Sequence, residues 1–295
     1  TMSASSLRKR LAAGAAAVLA AAGLVACSTE SADNGNGNST GAAGADGYRS
    51  VQQIQDDGTV KIGVFSDKAP FGYVDQKGEY AGYDVEFGNR LAEDLGVDLE
   101  YVPVEAASRV EFLDTNKVDI ILANFTVTPE RQEKVDFANP YMKVSLGAVT
   151  PDSAPITDVE GLKGKNVIVV KGTTAETYLE KHHPEVKLTK FEQYTEATNA
   201  LLDGRGDAWV TDNTEALAWA AKTDGFTTTI PSLGDTDTIA PAVAKGNTDL
   251  RDWINDELAE LGKENFFHAD YDKTLKPVYG DAVTADELVV EGGKL

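Results

Sequence analysis

Asp119-Ile120-Ile121-Leu122-Ala123-Asn124-Phe125-Thr126-Val127-Thr128-Pro129-Glu130-Arg131 runs from a continuous apolar stretch straight into a helix-start signal. The unbroken run 119–123 is the pattern of a strand covered on both faces, which is how strands of parallel sheets read. Thr128 is placed as an N-cap and Pro129 as the first helical residue, where a missing N–H costs nothing. Arg131 then projects from the first helical turn beside backbone donors that have no intrahelical partner. That combination suits a carboxylate. The residues alone equally allow a surface arginine paired with Glu130 or Glu133.

Working outward, strand-like and helix-like segments alternate. Val60 to Val64 alternates as a strand and stops at Asp67 and Pro70. Tyr83 to Leu95 carries Phe87, Leu91 and Leu95 at helical spacing, with Asp84 near its start and Gly96 as a stop. Val97 to Val104 reads as a strand and Val110 to Asn116 as a short helix. A second block repeats the order: strands at Val167–Val170, Val186–Phe191 and Ala208–Val210, and helices at 175–181, 196–202 and 213–221. Ile239 to Ala244 reads as one more strand. Leu250, Ile254, Leu258 and Leu261 form one helical face. The expected class is α/β, with two lobes, each a mostly parallel sheet flanked by helices. A ligand cleft is expected between them, because such folds bind ligands at the carboxyl ends of their strands.

The first residues have a different character. Arg8, Lys9 and Arg10 precede an Ala/Leu/Val-rich run from Leu11 to Val25, followed by Ala26 and Cys27. Charge, apolar run and small-residue cleavage site have the order of a signal peptide over 1–26. The run is short for a membrane span. Leu24-Val25-Ala26-Cys27 resembles the lipobox of bacterial lipoproteins, which implies lipidation of Cys27. Residues 27–47 are rich in Ser, Asn, Gly, Ala and acids, too polar to offset ordering entropy. They are expected to form a flexible tether with a reach on the order of 25 Å.

Composition excludes several functions. Forty-eight Asp and Glu face 27 Lys and Arg, a net charge of −21, which argues against nucleic acid and anionic membrane surfaces. One cysteine and three histidines (His182, His183 and His268) supply no zinc or iron–sulfur ligand spacing. Neither a Gly-x-Ser-x-Gly elbow nor a Walker loop is present. No cofactor, no metal and no enzymatic activity are expected. The polar groups at strand ends suggest binding instead. Lys171-Gly172-Thr173-Thr174 follows a buried strand and opens a helix, as an anion site or as an ordinary capped turn. Asp212 ends a strand, either to receive an ammonium group or to cap the next helix. Together the groups suit a zwitterion, whose two charges each need a partner once buried. Arg131 and the Thr174 N–H would take an α-carboxylate. Asp212, Thr126 and the Asn124 carbonyl would take an α-ammonium.

In this order the segments resemble the family 3 extracellular solute-binding proteins of ABC transporters. The likeness is carried by Pro70-Phe71-Gly72-Tyr73, Gly82-Tyr83-Asp84-Val85, Asn124 to Arg131, Val135 to Tyr141, Lys171 to Thr174, and Gly204-Arg205-Gly206-Asp207 with Asp212. The resemblance implies a ligand clamp of Thr126, Arg131, Thr174 and Asp212. It also implies one lobe of 48–145 plus 240–295, a second of 146–239, and a permease as partner. Val104 to Phe112, Ile120 to Thr126, Ile239 to Val243 and Leu288 to Leu295 are similar to the cysteine-binding lipoproteins of this family. Ser108 stands where that subgroup suggests Asn. Arg109 matches a position that meets the side-chain carboxylate in acidic-amino-acid binders, so glutamate, aspartate or cystine remain alternatives to cysteine. Lys68 either adds to that pocket or is a solvated loop charge, the commoner use. Phe71 and Tyr141 are candidate apolar walls, with a place in the core as the alternative for either. A monomer anchored to the outer face of the cytoplasmic membrane is expected, with closure by hinge motion. A cyclohexadienyl-dehydratase-like enzyme on the same fold is the rival from another class.

Overall fold

A computed structural model of the chain describes residues 47–295. Cys27, the expected leader and nearly all of the expected tether lie outside the described residues. Among the described residues, no helix is long and apolar enough to cross a membrane.

The apolar run at 119–123 does become the centre of a sheet. Ile120–Ile121 lies between Thr59–Val64, to which it is parallel, and Ala242–Ala244, to which it is antiparallel. Asp98–Pro103 pairs in parallel on the far side of Thr59–Val64, from Thr59↔Asp98 to Val64↔Pro103. Val135–Phe137 closes the other edge. Ile120, Ile121, Leu122 and Ala123 are fully buried, as an inner strand's double-sided cover requires. Helix Tyr83–Leu95 packs over this sheet and ends at Gly96, whose φ of 72° is a left-handed cap that favours glycine.

The second sheet runs Lys187–Phe191, Asn166–Val170, Ala208–Asp212, Met142–Pro151 and Phe226–Ile239. Its first three strands are parallel and the last two antiparallel. Val167, Val169, Ala208 and Val210 face one core with Leu179, while Ile168, Val170 and Trp209 face another with Ala197 and Leu201. Side chains of this size contribute roughly 1.5–3 kcal/mol each when fully buried.

Two strands depart from the sequence expectation. Met142–Pro151 and Phe226–Ile239 pair along their whole length, from Met142↔Ile239 to Pro151↔Phe226, with three register shifts. Phe226–Ile239 is a polar edge strand that exposes about half of its residues, so it lacks the apolar alternation that marks a half-buried strand. The expected strand 239–244 is instead two pieces. It breaks at Ala240-Pro241, where the chain leaves the second sheet at Ile239 and re-enters the first at Ala242. Proline cannot donate to a ladder, so it marks that crossing. The outward crossing lies between Phe137 and Met142, and the expected lobe boundary at 145/146 falls inside Met142–Pro151.

Helix Thr248–Lys263 buries Leu250, Ile254, Leu258 and Leu261, the face its spacing predicts. The chain then continues through Phe266–Asp270, Tyr271–Leu275, Lys276–Tyr279 and Ala285–Leu288. Val289 bridges to Met142 and the Val290 N–H donates to Tyr141 O at 3.2 Å, so the C-terminal segment lies against the outward crossing.

Candidate ligand cleft

The loops leaving the carboxyl ends of Ile120–Ile121, Asn166–Val170 and Ala208–Asp212 converge between the two sheets. Asn124 turns the first of them, with φ of 46°. Asparagine tolerates that left-handed conformation better than most residues. Its N–H donates to Asp84 Oδ2 at 2.8 Å, and Asp84 Oδ1 accepts from the Tyr141 hydroxyl at 2.6 Å. Burial pushes the Asp84 carboxyl up to about 7, although its hydrogen bonds pull the other way. Thr128 caps helix Pro129–Gln132 as expected, accepting from Arg131 N at 3.2 Å.

Arg131 and Arg109 meet in the cleft. Arg131 donates to Thr126 O at 2.8 Å and to Gly172 O at 2.9 Å. Arg109 donates to Ala106 O, Ala123 O and Gly172 O, each at 3.0 Å, and more weakly to Asn124 O. Both guanidinium groups lie over the Phe125 ring, at 4.6 and 4.3 Å. Among the described residues no carboxylate comes within 4.0 Å of either. Burial, then the charge of Arg109, pulls the Arg131 pKa down to about 9. Arg109 also lies over the Phe65 ring, at 5.4 Å, and two cations held by carbonyl oxygens and aromatic faces form a site that an anion would stabilise. The surface pairing of Arg131 with Glu130 or Glu133 does not form.

Opposite them, Lys68 Nζ donates to Asp212 Oδ2 at 2.6 Å and to Asn124 Oδ1 at 2.9 Å. Lys68 is 1 % exposed, so it is not the solvated loop charge that such a residue usually is. Burial opposes its charge, but Asp212 and Glu215 more than offset that and raise its pKa. Asp212 sits at the N-cap of helix Asn213–Ala221 yet makes no side-chain cap bond. One oxygen of its carboxylate accepts from the Lys68 ammonium instead.

Residues 60–276 match the model of the bacterial extracellular solute-binding proteins, family 3. This chain belongs to that family. A solved solute receptor for L-cysteine from Neisseria gonorrhoeae is 52% identical, with a TM-score of 0.81, covering 82% of this chain and 100% of that one. A cysteine-binding protein from Campylobacter jejuni is 50% identical, also with a TM-score of 0.81, covering 82% and 98%. The L-arginine-binding protein of Pseudomonas aeruginosa is 32% identical over 76% of this chain and 91% of its own length. These neighbours share the two-lobe α/β fold of solute-binding proteins.

In this family 3 chain, Thr174 is the first residue of helix Thr174–His182, so its N–H has no intrahelical partner. The cap itself is Thr173, which accepts from Glu176 N. Gly172 has a φ of 77°, and a Cβ there would lie 2.5 Å from Ala107 Cα. The second sheet's loop therefore abuts the first sheet's loop where only glycine fits. Thr126 is 3 % exposed and bridges to Ile239. Phe71 is fully buried with its ring 5.9 Å from Lys68 Nζ, so it backs the lysine. Tyr141 is not placed as a wall. It lies in the aromatic core with Tyr83, Phe87 and Phe267 and reaches the cleft only through Asp84 and Asn124.

Further contacts join the sheets at the rim. The Thr195 N–H and hydroxyl donate to Asp67 Oδ2 at 3.0 and 3.2 Å, and Phe65 meets Tyr194 edge-on at 5.1 Å. Beside them is a cavity of 460 Å³ lined by both sides. Sequence reasoning missed Glu215, which is 4 % exposed, accepts from Thr211 Oγ1 at 2.9 Å and lies 3.9 Å from Lys68 Nζ. Burial raises its carboxyl to about 8. On a helix of such low amphipathic contrast, no periodic signal marked it.

Proposed function

We propose that the protein is the substrate-binding component of an ABC importer and that it captures a small amino acid, cysteine first among candidates, between its two lobes. The observation that carries the reading is the charge layout. Arg131 and the free N–H of Thr174 offer partners for an α-carboxylate, while Asp212 and the Asn124–Thr126 loop offer partners for an α-ammonium. A zwitterion in that cleft would have both charges matched, which burial requires. The 52% and 50% identical relatives named for cysteine support that amino acid over others. The leader and Cys27 support export and a lipid anchor, and the family supports delivery to a membrane permease. Ligand chemistry plays no part in this reading, and the amino acid leaves unchanged.

A second reading, a glutamate or aspartate receptor, is favoured by Arg109, which lies in the cleft without a carboxylate partner. Titration calorimetry separates the two, using protein unfolded and refolded to strip carried ligand. Cysteine under reducing conditions is expected to bind more tightly than cystine, glutamate or aspartate. Preference for an acidic amino acid would transfer Arg109 to its side-chain carboxylate. Silence with all four would overturn the proposal.

A further inference from the structure

The cleft contains three cations, and one of them has no obvious part in holding a zwitterion. Lys68 is fixed. Two hydrogen bonds hold its ammonium, and the rings of Phe65, Phe71 and Tyr194 surround it at 5.6, 5.9 and 5.0 Å. A lysine this buried has no route by which to swing its charge into solvent and vacate the site. It occupies one oxygen of Asp212 and lies near Glu215, the two acids on this side of the cleft. The other ionisable groups nearby are Arg109, Arg131, the buried Asp84, which feels Lys68 and Arg109, and Asp237, which feels Arg131. With Lys68 on Oδ2, Asp212 keeps its other oxygen for an α-ammonium, and a second cation on the ligand would meet the charges of Lys68, Arg109 and Arg131.

From this arrangement we infer that Lys68 is a specificity-determining residue that excludes amino acids with cationic side chains. The inference rests on the amino-acid reading above. The fold alone does not impose such exclusion, since a family member is named for arginine binding. The discriminating charge must therefore come from side chains, and Lys68 is the buried cation closest to Asp212. Like charges held in a partly desolvated cleft repel far more than in water. Specificity of this kind is built by repulsion as much as by attraction.

The test uses two ligands of equal size. Norvaline and 2,4-diaminobutyrate differ at the end of the side chain, a methyl in one and an ammonium in the other. Calorimetry on the refolded wild type is expected to show norvaline binding at least about tenfold more tightly, the factor that one modest unfavourable interaction produces. Lys68→Met keeps length and volume but removes charge, and should bring that ratio to one or invert it, because the repelling charge is gone and a second oxygen of Asp212 becomes available. Lys68→Arg retains charge and should keep the ratio. A wild-type ratio near one overturns the inference without any variant, so a Lys68→Met protein that fails to fold leaves it falsifiable. An unchanged ratio in Lys68→Met, with cysteine still bound, overturns it while leaving the amino-acid reading intact. No binding of cysteine or of either probe would overturn both together.

Discussion

Arg109 and Arg131 donate to the same carbonyl oxygen, that of Gly172, at 3.0 and 2.9 Å. Two residues at helix starts beside the first sheet thus meet one residue of the second sheet's loop, and the close approach of that loop to Ala107 leaves no room for a side chain at Gly172. An alanine there would combine an unfavourable positive φ with a Cβ 2.5 Å from Ala107 Cα and 2.7 Å from Ala107 N. Gly172→Ala is therefore expected to hinder approach of the two sheets and lower ligand affinity by at least about tenfold. The backbone strain adds roughly 1 kcal/mol of destabilisation. Calorimetry and small-angle scattering with and without ligand check this. Wild-type affinity with wild-type compaction would refute it.

The two arginines are expected to respond differently to removal. Arg109 is 3 % exposed and spends its donors on four carbonyls from three segments. Arg109→Met should cost about 2–4 kcal/mol of stability through orphaned buried groups. Arg131 makes two such bonds and suffers the charge of Arg109. Arg131→Met should leave the unliganded protein within about 1 kcal/mol of wild type, because lost hydrogen bonds offset relieved repulsion. Its amino-acid binding should fall at least about a hundredfold, the loss of a charge-assisted pair. Denaturant melts and calorimetry on both variants give the answer. An Arg131→Met protein that binds normally would remove Arg131 from the clamp.

The contrast between legible and hidden residues has a physical cause. Helix Tyr83–Leu95 was legible because Phe87, Leu91, Leu95 and Gly96 are local signals, and the structure has those bounds. The Thr128-Pro129 helix start was legible for the same reason. Lys68 was not, because its burial comes from Asp212, 144 residues away, and from Tyr194. No window of sequence contains that information. Tyr141 was left open between wall and core because an aromatic residue before a strand reads alike whether it lines a cleft or fills a core. Its hydroxyl on Asp84 decides the matter. The strands Met142–Pro151 and Phe226–Ile239 were hidden because one is nearly all buried and the other largely exposed, so neither alternates.

Asp84 predicts a pH dependence whose sign can be worked out. Its folded pKa is about 7, raised mainly by burial, against about 3.9 when unfolded. The folded protein therefore holds a proton that the unfolded chain has released, and stability falls as pH rises from about 4 to 7. The effect is at most about 4 kcal/mol. Asp84→Asn retains an acceptor for Asn124 N–H and reverses the hydrogen bond to the Tyr141 hydroxyl, so it should fold and flatten this part of the profile. Glu215, raised to about 8 by burial, contributes a slope of the same sign that remains in the variant. Urea melts of both proteins at intervals across this range are the measurement. Parallel profiles would show that Asp84 does not titrate between folded and unfolded states as described.

His268 fastens the C-terminal segment at two points. Its Nδ1 lies 2.8 Å from Glu291 Oε1 and its Nε2 2.8 Å from Asp286 Oδ1, while Lys143 Nζ donates to Asp286 O at 3.0 Å. The hydrogen bonds to Asp286 and Glu291 raise the imidazole pKa above 6.5, burial opposing them only in part. A raised folded pKa means that the stabilisation is complete below the unfolded value and fades as pH climbs past the folded one. His268→Asn should thus lower Tm more at about pH 5.5 than at about pH 9, since the imidazole loses its charge as pH rises. The same variant should speed amide exchange at Val290, whose N–H donates to Tyr141 O. Leu288 and Val289 are buried, so the segment should remain docked and the loss should be local. If the Tm difference is the same at both pH values, the doubly bonded imidazolium does not hold the segment, and apolar packing of Leu288, Val289 and Val290 does so alone.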